Sequence, residues 1–185
     1  PGVGELSLGV QGTRYSKRIG LPSLPAVATD AAPLLYNATL AIELTPTLVA
    51  YAGAVTGLEE SGIAPGNAAN RNEALPAIRT NQRDAGLRWA ISEDVRLVAG
   101  LFDVRKPYFN LDANGRFDAL GEVINRGIEL SVSGPITRRF SVVAGSVLLW
   151  PRVTGTGVAL GRVGNLPVGA ISRRIEINLD WRPPI

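Results

Sequence analysis

Few residues of this chain could do chemistry. Its 185 residues include neither cysteine nor histidine, which excludes disulfides, thiol nucleophiles and histidine-ligated metal within it. The adjacent Glu59 and Glu60 do not make a glycosidase pair, because neighbouring residues of a strand point apart. Asp112, Asn114 and Gly115 lack the further oxygen ligand and the closing glutamate of a calcium loop, so they predict a turn. We expect no catalytic residue, no metal ligand and no enzyme.

Charge and hydropathy restrict the class of protein that the sequence can encode. The formal net charge is +3, but the arginines are scattered and do not cluster with aromatics, so no nucleic-acid partner is expected. The sequence has no apolar run of about 18 residues, which excludes a transmembrane helix. A soluble protein or a β-barrel remains, because barrel strands give only a weak alternating signal.

The elements that must position any functional residue are strands. Alternation with a period of two predicts about eight of them. They lie near residues 4–14, 34–44, 47–57, 81–91, 95–105, 121–133, 139–150 and 171–182. Long connections cover roughly residues 15–33, 58–80, 106–120 and 151–170, with short turns between them. Long loops alternating with tight turns are typical of a barrel with loops at its outer end.

Most of these strands have one apolar and one polar face. In the last strand Ile175 and Leu179 share the apolar side, whereas Glu176 and Asp180 share the polar side. This pattern fits a soluble sheet, or a barrel with lipid outside and water inside. The third and fifth strands are ambiguous in phase, and the sequence does not assign their faces.

Aromatic residues favour the membrane interpretation. Phe140 and Trp150 lie ten positions apart on one face, close to the ~9–11 residues that a tilted strand needs to cross a bilayer. Trp89 and Trp181 lie next to short turns and Tyr36 beside a long loop, as in the aromatic girdles of membrane barrels. The alternative is that these are core aromatics of a soluble sheet.

Two arginines interrupt the apolar faces. Arg126 and Arg173 both lie near the long-loop ends of their strands, where a charge can reach water. The expected cost there is ~0–1 kcal/mol, against ~2–4 kcal/mol at the middle of the bilayer.

A series of short stretches carries a family resemblance. In chain order they include Leu48-Val49-Ala50-Tyr51-Ala52, Gly57-Leu58-Glu59-Glu60-Ser61-Gly62, Gln82-Arg83-Asp84-Ala85-Gly86-Leu87, Leu101-Phe102-Asp103-Val104-Arg105-Lys106-Pro107, Gly121-Glu122-Val123-Ile124-Asn125-Arg126-Gly127-Ile128-Glu129-Leu130 and Asp180-Trp181-Arg182-Pro183-Pro184. Their order and spacing, over roughly residues 34–184, resemble TonB-dependent outer-membrane receptors of the siderophore-receptor kind.

The resemblance implies both an architecture and a set of partners. Such receptors have a closed barrel of about 22 strands with a plug in its lumen. They import a ferric siderophore across the outer membrane, energised by the TonB complex through the N-terminal plug. Residues 1–185 are accordingly expected to be a partial, all-β, antiparallel transmembrane barrel in contact with outer-membrane lipid. Because the chain starts at Pro1, lacks methionine and ends at Ile185, we expect it to be truncated at both ends, without plug or signal peptide.

The resemblance also directs attention to the long loops. The ligand-binding candidates are Arg71, Arg79, Tyr108, Phe109 and Arg116, because aromatics and arginine suit an aromatic, anionic ferric chelate. The alternative is a loop that packs on itself. The charged residues expected to line the lumen either contact ligand or plug, or form a solvated wall of cross-strand ion pairs. These are Asp84, Arg88, Glu129, Arg174, Glu176 and Asp180.

The leading hypothesis is therefore ferric-siderophore uptake, with no cofactor besides the transported ferric siderophore itself. One rival is another outer-membrane barrel, such as a porin or a barrel enzyme. Another is a soluble all-β binding module. If the chain exists alone, its unpaired edge strands and apolar band predict that it is not stable in water.

Overall fold

The computed structural model describes residues 3–20 and 26–183, and strands predominate in them. In chain order the elements are β1 (Gly4–Gly12), β2 (Tyr15–Ile19), β3 (Val27–Ala31), β4 (Leu34–Thr45), β5 (Leu48–Glu59), β6 (Ile78–Ala90), β7 (Arg96–Leu111), β8 (Phe117–Thr137), β9 (Phe140–Thr154), α1 (Thr156–Ala159) and β10 (Arg173–Trp181). Pro1, Pro184 and Ile185, on which part of the resemblance and the expected truncation rest, lie outside the described residues.

Eight of the strands form a single antiparallel sheet. Its order is β1-β4-β5-β6-β7-β8-β9-β10, so each strand pairs with the next one along the chain apart from the excursion β2–β3. This up-and-down order confirms the expected all-β antiparallel fold class. It also matches the eight predicted strands, because alternation in the sequence reports directly on residues that line two different faces.

The predicted connections were wrong in two places. The first long connection contains the hairpin of β2 and β3, which pair from Tyr15↔Ala31 to Ile19↔Val27. The third was expected to cover residues 106–120, but β7 continues to Leu111 and β8 begins at Phe117. Strand pairing extends past the apolar band because the two strands support each other by backbone hydrogen bonds, even where the face pattern fades.

Among the described residues, no helix has the length and apolar character needed to cross a membrane.

The register assigns every strand of the sheet to its two faces. Direct partners across the eight strands share one side of a sheet. One such row, on the side called here the inner face, is Glu5–Ala41–Tyr51–Gly86–Gly100–Glu129–Val147–Arg174. The adjacent row, on the outer face, is Leu6–Leu40–Ala52–Ala85–Leu101–Ile128–Leu148–Arg173. The outer row is apolar across seven strands.

The outer face is apolar and has no partner within the described residues. Leu101 on β7 is 59% exposed and Leu6 on β1 is 62% exposed. Phe140 and Trp181 are direct partners at the short-turn end of this face, and Trp150 lies towards its long-loop end. A contiguous apolar band between aromatic residues is what a lipid-facing barrel surface presents.

The described residues bury a small core at the long-loop end. Ala64, Ala68 and Leu75 are buried, and Phe109, Leu111 and Phe117 pack against them. This outer-loop core lies between the connection 60–77 and the ends of β7 and β8. The predicted long loops are therefore packed structures at one end of the sheet.

Candidate functional site: the outer loops and the inner wall

The outer-loop core is closed by hydrogen bonds between two distant segments. The buried Asn70 donates its side-chain amide to the carbonyl oxygen of Phe117 at 3.1 Å, and its Oδ1 accepts from the Phe117 N–H at 2.8 Å. The Ala69 N–H donates to the Gly115 carbonyl oxygen at 2.8 Å. Because buried polar groups require partners, these bonds fix the connection 60–77 onto the β7–β8 end.

The β2–β3 hairpin is attached to the same structure through Lys17. Its ammonium group donates to the carbonyl oxygens of Ser61 and, at 3.1 Å, of Gly62. It also lies 3.2 Å from a carboxylate oxygen of Glu60. The Ser61 hydroxyl in turn donates to the Leu75 carbonyl oxygen. Three long excursions of the chain are thereby joined into one unit.

Three of the five predicted ligand residues have partners within the protein. Phe109 packs on the outer-loop core and stacks on Phe117, with 6.1 Å between ring centroids and 22° between planes. The Arg116 guanidinium donates to both carboxylate oxygens of Glu73, at 2.6 and 2.9 Å. The Tyr108 hydroxyl accepts from the Asn110 amide at 3.1 Å. These contacts fit the alternative of a loop packing on itself.

The remaining two candidates occupy different surfaces. Arg71 follows Asn70 in the connection 60–77 and is exposed, and its side chain makes no hydrogen bond or ion pair within the described residues. Arg79 is also exposed but pairs with Leu58 at the start of β6, which places it on the outer face. The structure thus places Arg71, Phe109 and Arg116 in or against the outer-loop core, and Arg79 on the outer face of β6.

Tyr51 is the residue of the inner wall that the sequence did not indicate. Its ring lies beneath the Arg88 guanidinium, 4.6 Å from the ring centroid. Its hydroxyl reaches across two glycines, because a β-carbon added at either Gly86 or Gly100 would lie 2.7 Å from it. Two glycines side by side in neighbouring strands were the signal that could have found it, since glycine in a strand often marks a close approach.

Three ion pairs lie on the inner wall among the described residues, and three of the charged residues predicted to line it, Asp84, Arg88 and Glu129, form none. Arg174 and Glu176 form an ion pair along β10, and Lys106 lies 3.6 Å from Glu59 across strands. The Glu59 carboxylate also accepts from the Thr80 hydroxyl at 2.5 Å. All of these groups are partly exposed, so each pair contributes only ~0.2–1 kcal/mol. Their collective effect is a hydrated, polar wall opposite the apolar outer face.

Within residues 3–20 and 26–183, no group of three acidic, histidine or cysteine side chains is placed to hold a metal ion.

Taken together, an up-and-down antiparallel sheet with an apolar outer face, a polar inner face and packed long loops at one end defines a section of a transmembrane β-barrel. Solved structures share this fold. The ferric-catecholate import receptor Fiu from E. coli K12 matches with a TM-score of 0.74 at 18% identity, over 96% of this chain and 30% of that one. No protein-family model and no curated protein sequence matches.

Two receptors from Acinetobacter baumannii match almost as well. The ferric preacinetobactin receptor BauA has a TM-score of 0.72 at 25% identity, over 98% of this chain and 27% of BauA. The siderophore receptor PiuA has a TM-score of 0.72 at 15% identity, over 97% of this chain and 28% of PiuA. The chain therefore spans about 30% of the receptors it matches. The predicted resemblance is confirmed: the chain has the fold of a siderophore-receptor barrel section.

Proposed function

We propose that the protein takes up a ferric siderophore across the outer membrane, and that this chain forms part of the barrel wall. The observation that carries the proposal is the match of nearly the whole chain to three siderophore receptors. Fiu is a ferric-catecholate import receptor, BauA is a ferric preacinetobactin receptor and PiuA is a siderophore receptor. The polar inner wall and the packed outer loops supply the surfaces that such a pathway needs.

The outer membrane and its lipid form part of the same proposal. The apolar outer face is supported as a lipid contact by its aromatic ends and by the lack of any protein partner within the described residues. We further propose that energy reaches the barrel from TonB through a plug domain, as in the family that the sequence resembles. This coupling separates an active receptor from a diffusion porin.

The loop unit is the proposed place of first contact with the ligand. Arg71 supports this role best among the five candidates, because it is exposed on the packed loop and its charge is not neutralised by a described neighbour. A guanidinium group can bind an anionic chelate by charge and by bidentate hydrogen bonds. Phe109 and Arg116 would then hold the loop in shape, and Tyr108 would line its base.

Transport of radioactive ferric siderophores by iron-starved cells tests the proposed function. Cells that make the complete protein should bind and accumulate at least one siderophore, whereas cells without it should not. Adding a protonophore should stop accumulation but leave surface binding intact. Accumulation that continues unchanged without the proton gradient would favour a porin, and absence of binding for every chelate in a broad panel would contradict the receptor role.

A pair of charge-removing variants tests the ligand site. Arg71→Gln should weaken binding of the transported siderophore about tenfold, the usual effect of losing one charge-assisted contact. Arg138→Gln removes the same charge at the short turn between β8 and β9, at the opposite end of the sheet, and should leave affinity unchanged. Equal affinities of both variants and the native protein would remove Arg71 from the site.

A further inference from the structure

A line of charged residues crosses the otherwise apolar outer face. The register pairs Arg83 on β6 with Asp103 on β7, Asp103 with Arg126 on β8, and Arg126 with Trp150 on β9. These four residues are direct partners in consecutive strands, so their side chains lie on one side of the sheet. The line is called here the outer-face ladder. It adjoins the apolar row through Ala85 and Ile128.

The ladder has more positive than negative charge. Asp103 accepts from the Nε of Arg105 at 2.6 Å and from the Nε of Arg126 at 2.7 Å, so one carboxylate serves two guanidinium groups. Arg83 and Arg152 are exposed on the same face and form no ion pair within the described residues.

Glu122, the other acidic residue at this end of the outer face, pairs in register with Pro107 and Thr154, further towards the loops. With Arg79, which also lies at this end of the outer face, five arginines meet two carboxylates, and an anion would balance the excess.

A groove leads from the ladder onto the apolar band. It has a volume of about 500 Å³, and its lining includes the ladder residues Arg83, Asp103, Arg126 and Trp150 together with the apolar Leu101 and Ile128. Two guanidinium groups, one carboxylate and an apolar surface in one groove match a molecule with an anionic head and hydrocarbon chains. Trp150 favours the headgroup level of a membrane, where indole rings concentrate.

Arg126 on the lipid-facing side of β8 carries a free-energy cost that a binding partner would reduce. At the middle of the bilayer it would cost ~2–4 kcal/mol, and even near the interface its guanidinium group must keep hydrogen-bond partners. The Arg126 side chain remains 61% exposed despite its bond to Asp103. A phosphate offers bidentate acceptors to the planar guanidinium fork and neutralises its charge.

We propose that the outer-face ladder binds the phosphate of a membrane lipid, with Arg83 and Arg126 as the phosphate-binding side chains and the acyl chains on the groove floor. The inference rests on the membrane placement in the proposed function but not on the transported ligand. A siderophore on its way through the barrel would pass the opposite, inner face. Lipid binding and uptake can therefore fail separately.

Native mass spectrometry of the complete protein in a nonionic detergent tests the proposal. Dioleoyl phosphatidic acid and dioleoylglycerol serve as probes, because they differ only in the phosphate. The native protein should bind the phosphatidic acid at least about tenfold more tightly than the diacylglycerol. The double variant R83Q/R126Q should lose that preference, and R83K/R126K, which keeps the charge without the fork, should retain part of it.

The matched control removes two charges from the inner face. R88Q/R174Q should keep the preference for phosphatidic acid, and circular dichroism should show that all variants are folded. Equal binding of both lipids by the native protein, or an undiminished preference in R83Q/R126Q, would overturn the proposal. Inorganic phosphate that displaces the lipid at equal concentration would show a free-phosphate site and also overturn it. Neither result depends on siderophore transport.

Discussion

The eight-stranded sheet and the outer-loop core are built on opposite principles. In the sheet, Leu6 and Leu101 are more than half exposed, and none of the described large side chains is fully buried. In the connection 60–77, the small or polar residues Ser61, Ala64, Ala68, Asn70 and Ala74 and the larger Leu75 are all buried. The sheet is held by backbone hydrogen bonds between its strands and, within the described residues, has no buried core of its own. The outer-loop core is held by buried residues and by hydrogen bonds to its buried polar groups.

This difference has a consequence for how each region responds to its surroundings. In the proposed membrane placement, lipid would remove the outer face from water and so replace the core that the sheet lacks. The outer-loop core has its own buried residues and paired polar groups, and it should depend little on the bilayer. A change that acts through lipid should therefore affect the sheet, whereas a change of a buried hydrogen bond should affect the loops.

The largest expected effect comes from a charge in the apolar band. Leu130→Arg places a guanidinium on the outer face of β8, between Val132 and Ile128, and should destabilise the protein by ~2–4 kcal/mol. Ser131→Arg, the next residue along the strand, points to the inner face and should cost about 0.5 kcal/mol or less. Urea unfolding in phospholipid vesicles, followed by tryptophan fluorescence, measures both. Equal costs for the two variants would contradict the assignment of the faces.

A slightly smaller effect is expected at the contact of Tyr51 with its glycines. Gly86→Ala would push a methyl group against the Tyr51 hydroxyl, 2.7 Å away, and against the Ala99 carbonyl oxygen. Overpacking of this kind costs ~1–3 kcal/mol. The matched control is Gly57→Ala, whose β-carbon would meet no atom within 4 Å. The same unfolding experiment should find Gly57→Ala close to neutral, and similar losses at both glycines would exclude the close packing of Gly86 against Ala99 and Tyr51 as the cause.

The sequence predicted the sheet well because each strand records its own environment. In β10, Ile175 and Ile177 face outward and Glu176 inward, and the alternation is visible in the residue types. In β5 the alternation disappears, because Ala50 and Ala52 on one face oppose Tyr51 and glycine on the other. Pairing with the neighbouring strands shows which residues of β5 face inward and which face outward. When a strand has small residues on both faces, its sequence alone does not distinguish the two faces.

The candidate site was less predictable, because its contacts join distant parts of the chain. Asn70 and Phe117 are 47 positions apart, and no local sequence pattern predicts the two hydrogen bonds between them. Of the outer-face ladder, only Arg126 was conspicuous as a charge on an apolar face. Its relation to Arg83 and Trp150 exists only through the register of four strands. The sequence identified Arg126 as an unusual charge, but only the pairing of the strands showed that it lies in one row with Arg83 and Trp150.

Asn70→Ala tests whether the outer-loop core is stabilised by its own hydrogen bonds, independently of the sheet. This change leaves the Phe117 N–H and carbonyl oxygen without their described partner, and a buried unpaired group costs ~1–3 kcal/mol. Because the outer-loop core is a local unit, the expected result is faster hydrogen exchange around Phe117 with little change in the strands. Asn114→Ala, in the exposed turn of the same hairpin, serves as the control. Exchange that rises equally across the sheet would mean that the loops and the sheet unfold together.

The smallest effect should come from the exposed pair of Arg116 and Glu73. Both side chains are more than a third exposed, so Arg116→Gln should destabilise the loop by only ~0.2–1 kcal/mol, and less at high salt. This small structural effect makes the variant informative about ligand binding. If Arg116 only fastens the loop, Glu73→Gln should lower siderophore affinity as much as Arg116→Gln does, since each breaks the same pair. If Arg116 also contacts the anionic ligand, its loss should weaken binding much more than the loss of Glu73, which frees the arginine. Titration of both variants with the transported ferric siderophore decides whether Arg116 only stabilises the loop or also binds the ligand.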